Sequence, residues 1–434
     1  MTDTLSSTPE RPWYSALASR DTWLRGFVYA LFIFSIFTMA GMELAVIMLH
    51  LLALYHRLRA PVSEWLPKWV AAPFLLLPAM GVFSALINPN FLETMVTMKG
   101  EYRLLLPFIM LPALALVNLE RLMKVFLVFV VVIGVFSLLQ FNFAWHPLHP
   151  GLQGKFATGG FGMYLTLGGV MVMTSPVLAS LAWSARGRAR WMWGGGAALA
   201  TVTTLLTISR SAWIGLAVAF MVLALRLPRR IAFPLIGVTL AVIVTLGTLI
   251  ATGWIKERFE GRFDSVLVRR LVETSLSTES ERPFLWRSAL RGIADAPIFG
   301  HGFAPGAYDA YRDALAKEEN FTKISYPNLK PHNQFLRVAF AMGVPGLAVF
   351  LWMFGAVIVW NGIWLYRASG LFPFEAGLLW GINAALVGSL ASGFTLGQFF
   401  DSEVQTNILM WMGMSYAVGI ALRRRLNEGG LLAD

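Results

Sequence analysis

Apolar residues run in long stretches through most of the chain, at about 23–39, 42–57, 69–87, 102–117, 122–143, 161–183, 191–208, 212–226, 231–253, 336–366, 374–395 and 404–422. Most approach the roughly 20 residues with which a helix crosses a hydrocarbon layer, and the shorter ones suit the arms of tight hairpins. The pattern predicts an all-α, polytopic membrane protein of about twelve transmembrane helices. Residues 1–253 would carry helices one to nine, and 333–434 would carry helices ten to twelve with a short tail. Between them, 254–332 is too long for a plain connection and shows helical patterns at about 258–276, 283–294 and 306–319, so it reads as a small helical cap.

Lys and Arg in the short loops orient this plan. With the N-terminus inside, eighteen basic residues fall on the cytoplasmic side, among them Arg57, Arg121, Arg186, Arg188, Arg190, Arg226 and Arg423 to Arg425. Only Lys99, Arg103, Lys155 and Arg210 fall in the opposite short loops. Positive charge stays inside, so both termini are expected in the cytoplasm and the cap outside it.

Composition agrees with a lipid solvent: 57% of the 434 residues are hydrophobic and 14% charged. The net charge of +11 would suit a nucleic-acid partner were it gathered in one domain. It is spread by topology instead, and the cap itself nearly balances, with twelve basic against eleven acidic residues, so no nucleic acid is expected. Cysteine is absent, which excludes disulfides, thiolate nucleophiles and cysteine-ligated metals. The polar opening through Thr22 lacks the apolar core of a signal peptide, and the first helix is expected to be retained. A P-loop is absent too, which argues against ATP as the energy source.

Arg210, in Ser209-Arg210-Ser211-Ala212-Trp213, sits between two apolar runs that leave room only for a tight turn. A guanidinium at a membrane face beside two hydroxyls suits a phosphate; the alternative is an arginine snorkelling to lipid headgroups. In the cap, Arg282-Pro283 reads as a helix start, Arg282 at the cap and Pro283 first in the helix, so free N–H groups would lie beside Arg282. Arg287 and Arg291 follow on a neighbouring face, where pairing with Glu279 or Glu281 is the plainer role. His332, where the cap returns to the membrane, faces the positive end of the next helix, which favours a neutral imidazole able to accept a proton. Capping or packing is the alternative. Secondary candidates are His301 between Gly300 and Gly302, Lys155 in the loop after His146 and His149, and Asn333 beside His332. Asp401 and Glu403 could share a hard cation, although turn capping suits them better, and neither a metal nor a cofactor is expected.

Taken in order, Ser209-Arg210-Ser211-Ala212-Trp213, Arg282 with Trp286 four residues on, Pro297-Ile298-Phe299-Gly300-His301-Gly302-Phe303 and Pro331-His332-Asn333-Gln334-Phe335-Leu336 resemble the O-antigen ligase-like membrane proteins. The resemblance covers roughly 200–345 in its motifs and implies a GT-C-like membrane glycosyltransferase. Such an enzyme passes a glycan from undecaprenyl pyrophosphate to an acceptor on the periplasmic side of the bacterial inner membrane. It implies further that Arg210 and Arg282, with Arg287 as an extra, bind pyrophosphate and that His332 is the essential histidine. The loop at Lys155 departs from the more basic version of relatives. Within the group, a chain ending nine residues after Arg425 fits an O-antigen ligase acting on lipid A-core better than an O-linked protein oligosaccharyltransferase; an O-antigen polymerase is the nearer alternative. A polyprenyl-glycan transporter or flippase is the alternative of another class, disfavoured because the ionisable residues gather at one membrane face rather than at the midplane.

Overall fold

The computed structural model describes residues 20–57, 66–149, 156–234, 236–237, 281–321, 330–368 and 370–429. Within these the chain is all helical. Helices α1 (Arg20–Phe34) and α2 (Met39–Arg57) form a hairpin, followed by α3 (Lys68–Ile87) and the short α4 (Phe91–Met98). A 3-10 turn (Glu101–Leu105) and the single turns α5 (Leu106–Ile109) and α6 (Leu111–Leu114) lead to α7 (Leu119–Phe143), α8 (Tyr164–Ser184), α9 (Gly187–Leu206) and α10 (Arg210–Ala224). The cap contributes α11 (Glu281–Asp295) and α12 (Pro305–Glu318), and the chain closes with α13 (Gln334–Arg367), α14 (Pro373–Gly393) and α15 (Ser402–Glu428). Five of these, α3, α7, α8, α13 and α14, are long and apolar enough to cross a membrane. A chain with five such helices is a multi-pass membrane protein.

The predicted run at 102–117 is not one helix. Pro107 and Pro112 each sit in the first turn of a separate short helix, because proline lacks the N–H that would continue the preceding one. The predicted cap helices at 283–294 and 306–319 are α11 and α12, while the pattern at 258–276 and most of the run at 231–253 lie outside the described residues.

Two packing devices matter for function. The first fixes α8, α10 and α14 against one another through glycine: a Cβ on Gly215 would lie 2.7 Å from the Gly388 carbonyl oxygen, and one on Gly388 would lie 2.5 Å from that of Gly215. Without a hydrophobic drive between helices in lipid, such close backbone approach is what holds them. The second device breaks α13. Its 34 residues would run about 51 Å, well beyond a hydrocarbon core of roughly 30 Å. The break falls at Gly343 (φ 71°, ψ 179°), followed by Pro345.

The cap is fastened at that break, and the backbone accounts in full. Pro345 has no N–H for the Ala341 carbonyl, which instead accepts from Gly302 N at 3.0 Å and Ser84 Oγ at 2.8 Å. The Phe340 carbonyl accepts from His301 N at 2.8 Å, and Val344 N donates to the Pro297 carbonyl at 2.7 Å. Gly300 and Gly302 have φ of 66° and 77°, and a Cβ on Gly300 would meet the Ala341 backbone at 2.5 Å. The Pro297 to Phe303 motif is therefore a clasp between cap and bundle.

Candidate active site

Arg210 opens α10 at the end of the α9–α10 turn. That turn is tight because Ile208 takes φ 56°, a left-handed conformation uncommon for a branched residue. The serines expected to assist with phosphate face elsewhere: Ser209 caps α10 by accepting from Ala212 N, its hydroxyl lies 2.9 Å from that of Ser211, and both are buried.

Arg282 lies within α11, whose described part already begins at Glu281, so it is a residue of the first described turn rather than the cap inferred from Pro283. Burial, and then the like charge of Arg210, push its pKa down; Tyr164 at the start of α8 acts in the opposite direction. Trp286, one turn further on α11, donates from Nε1 to the Pro331 carbonyl at 2.9 Å. It thereby ties the helix of Arg282 to the peptide that carries His332.

His332 has φ 49°, a second non-glycine residue held in the left-handed region. Such strain persists only where surroundings over-determine it, and here both neighbours are fixed: Pro331 by Trp286, and Asn333 by capping α13, its Oδ1 accepting from Phe335 N at 2.9 Å and Leu336 N at 3.1 Å. The imidazole is pushed below its ordinary pKa by burial first, then by the charge of Arg282, with Arg337 adding to it and Glu281 opposing. It is thus neutral at neutral pH. Burial and arginine thus act in the same direction as the helix end beside which His332 sits.

Arg210, Arg282 and His332 come from α10, α11 and the α13 cap, separated by long stretches of chain, and they share one electrostatic neighbourhood. Arg282 feels Arg210, and His332 feels Arg282. Two further cations belong to it. Arg337, one turn into α13, stacks on Phe400 at 4.1 Å and acts on both His332 and Lys330. Lys330, two residues before His332, is pushed down by burial and then by Arg337. Neither was singled out from sequence, although a basic residue in the apolar run at 336–366 was visible there. A neutral base beside converging cations can take a proton from a hydroxyl while holding a polyanionic leaving group.

The other candidates do different work. Arg287 pairs with Glu319 at 2.6 Å and Arg291 with Glu318 at 2.5 Å, so the end of α12 supplies a carboxylate to each; Glu279 lies outside the described residues. His301 lies 2.8 Å by Nε2 from the Gly292 carbonyl, its ring 4.8 Å from those of Tyr311 and Phe340, so it packs the cap. Asn333 is a helix cap, as above. Asp401 caps α15, accepting from Glu403 N and Val404 N, and accepts from Thr166 Oγ1 at 2.6 Å. Among the described residues no three His, Cys, Asp or Glu side chains gather as a metal site. Lys155 lies outside the described residues.

Residues 195–351 match the sequence model of a family described as O-Antigen ligase. That stretch is O-antigen ligase-like, and it contains Arg210, Arg282 and His332. A Haemophilus influenzae chain named "Uncharacterized protein" is 31% identical over 152 residues, 34% of this chain and 37% of that one. A Rickettsia typhi chain named "Putative polysaccharide ligase" is 30% identical over 156 residues, 35% of this chain and 36% of that one; one from Rickettsia felis with the same name is 30% identical over 156 residues, 35% of each. The match thus spans about a third of the length of these relatives.

Proposed function

We propose that this chain, O-antigen ligase-like over residues 195–351, is an inner-membrane glycosyltransferase of the GT-C-like type with its active site on the periplasmic face. In this reading it is an O-antigen ligase: the donor is a glycan on undecaprenyl pyrophosphate and the acceptor a sugar hydroxyl of lipid A-core. His332 removes the hydroxyl proton, the oxygen attacks the anomeric carbon, and the bond from that carbon to the phosphate oxygen breaks. The electron pair leaves with undecaprenyl pyrophosphate, whose developing charge Arg210 and Arg282 neutralise; one such donor contributes roughly 3 to 4 kcal/mol. Direct displacement inverts the anomeric centre, and no metal takes part. Arg287, ion-paired with Glu319, is given no part in this mechanism.

What supports this reading is that Arg282 feels the charge of Arg210 and His332 feels that of Arg282, so that side chains distant in sequence are linked pair by pair. The test is transfer by the purified protein reconstituted with both lipids in the presence of chelator. Transfer at near wild-type rate by His332→Ala or Arg210→Ala would falsify the mechanism. Product extended on the undecaprenyl carrier, with none on lipid A-core, would identify a polymerase instead.

A further inference from the structure

The ends of α8, α9 and α10 opposite to Arg210 carry a second basic cluster. At 1.5 Å per residue the 21 residues of α8 rise about 32 Å, one hydrocarbon thickness, from Tyr164 near Arg282 to Ser184. There a cavity of about 670 Å³ opens between the α8–α9 turn and the start of α14, lined by Trp183, Ser184, Ala185, Arg186, Arg190 and Pro373. That volume falls in the range of small-molecule sites. Among the described residues no carboxylate pairs with Arg186 or Arg190. Glu375, two residues beyond Pro373, is held by Arg425 at 2.6 Å. Arg226, from the segment after α10, adds a third guanidinium beside the cavity. It donates to Ser180 Oγ at 3.0 Å and Ser184 Oγ at 3.1 Å, and lies 5.9 Å from the rings of Trp183 and Trp380.

We propose that this cavity binds the phosphodiester headgroup of an anionic phospholipid. Two guanidiniums on one wall offer forked hydrogen bonds to phosphate oxygens. The depth is that of headgroups, one span away from the opposite membrane face, and exposed Trp183 lines the cavity as aromatic residues do at a lipid–water boundary. Basic pockets between helices on the positively charged side of a membrane protein recognise such headgroups. The site is independent of the catalytic reading, since it shares no residue with it.

The test is native mass spectrometry of the full chain in mild detergent, titrated with dioleoyl phosphatidylglycerol and, separately, with dioleoyl phosphatidylcholine. Phosphatidylglycerol is expected to fill one strong site at least tenfold more tightly than phosphatidylcholine. Arg186→Ala with Arg190→Ala is expected to remove that preference at an unchanged unfolding midpoint, while Arg188→Ala, exposed on the same turn but outside the cavity, leaves it within twofold. Millimolar inorganic phosphate is expected not to displace the lipid. Equal binding of the two lipids, an unaltered double variant, a loss in Arg188→Ala equal to that of the double variant, or displacement by phosphate each overturns the proposal.

Discussion

Arginines gather at both ends of the α8–α9–α10 bundle and are held in opposite ways. At the Arg186 end they come from a short stretch of sequence plus Arg226, and hydroxyls and indole rings hold Arg226. At the Arg210 end they come from separate elements and repel one another, and the cap that carries Arg282 is tied to the bundle at the break in α13 and through Trp286. At the Arg186 end two of the three guanidiniums are neighbours in sequence, and only Arg226 has to be brought in, by the serines of α8. Assembling like charges against their repulsion around a neutral histidine takes tertiary structure, and such an arrangement is relieved when an anion arrives.

If the two ends differ in this way, His332→Ala is expected to lower the transfer rate by about 10²- to 10⁴-fold, the contribution of a general base, in the two-lipid assay. Arg186→Ala with Arg190→Ala should leave that rate within about twofold; a loss equal to that of His332→Ala would erase the distinction. Arg282→Gln should cost on the order of 10²-fold and also change the pH profile. A base must be neutral to act, so kcat/KM falls as the pH drops through the His332 pKa, which lies below the ordinary 6.5. Removing the Arg282 charge lets that pKa rise, and the acid limb should move to higher pH. An acid limb that stays in place separates Arg282 from His332.

Smaller effects sharpen the role of the cap. Gly300→Ala places a Cβ 2.5 Å from the Ala341 backbone at φ 66°, so the clasp must open. A fall in unfolding temperature together with faster proteolysis of the cap is expected. Trp286→Phe keeps an aromatic but smaller side chain and deletes the bond to the Pro331 carbonyl, leaving a buried acceptor at a cost of about 1 to 3 kcal/mol. Its kcat should fall roughly fivefold or more with little change in KM, the mark of a misplaced base rather than of lost substrate contact. Arg287→Ala breaks a half-exposed pair with Glu319, worth about 1 kcal/mol or less, and should leave transfer within about twofold.

Apolar run lengths alone announced a helical membrane chain, and the cap helices were readable at 283–294 and 306–319, where they form as α11 and α12. Lipid makes hydrophobic length nearly sufficient for that inference. Arg210 stood out as a charge in a tight turn between two apolar runs, Arg282 and His332 as residues at helix starts, and all three through the motifs that resemble the O-antigen ligase-like proteins. Other features depended on groups distant in the chain. The prolines at 107 and 112 divide a run that hydrophobicity alone reads as one helix. His301, flanked by glycines as a ligand loop would be, is instead a backbone clasp, because the carbonyls freed at Gly343 and Pro345 need donors. Trp286 positions His332 through a hydrogen bond to a main-chain oxygen 45 residues away, a partner that no side-chain pattern encodes. Residue type and hydrophobic period belong to the sequence because they act over a few neighbours; the placing of unpaired backbone groups and like charges belongs to the fold, since each needs a partner from elsewhere in the chain.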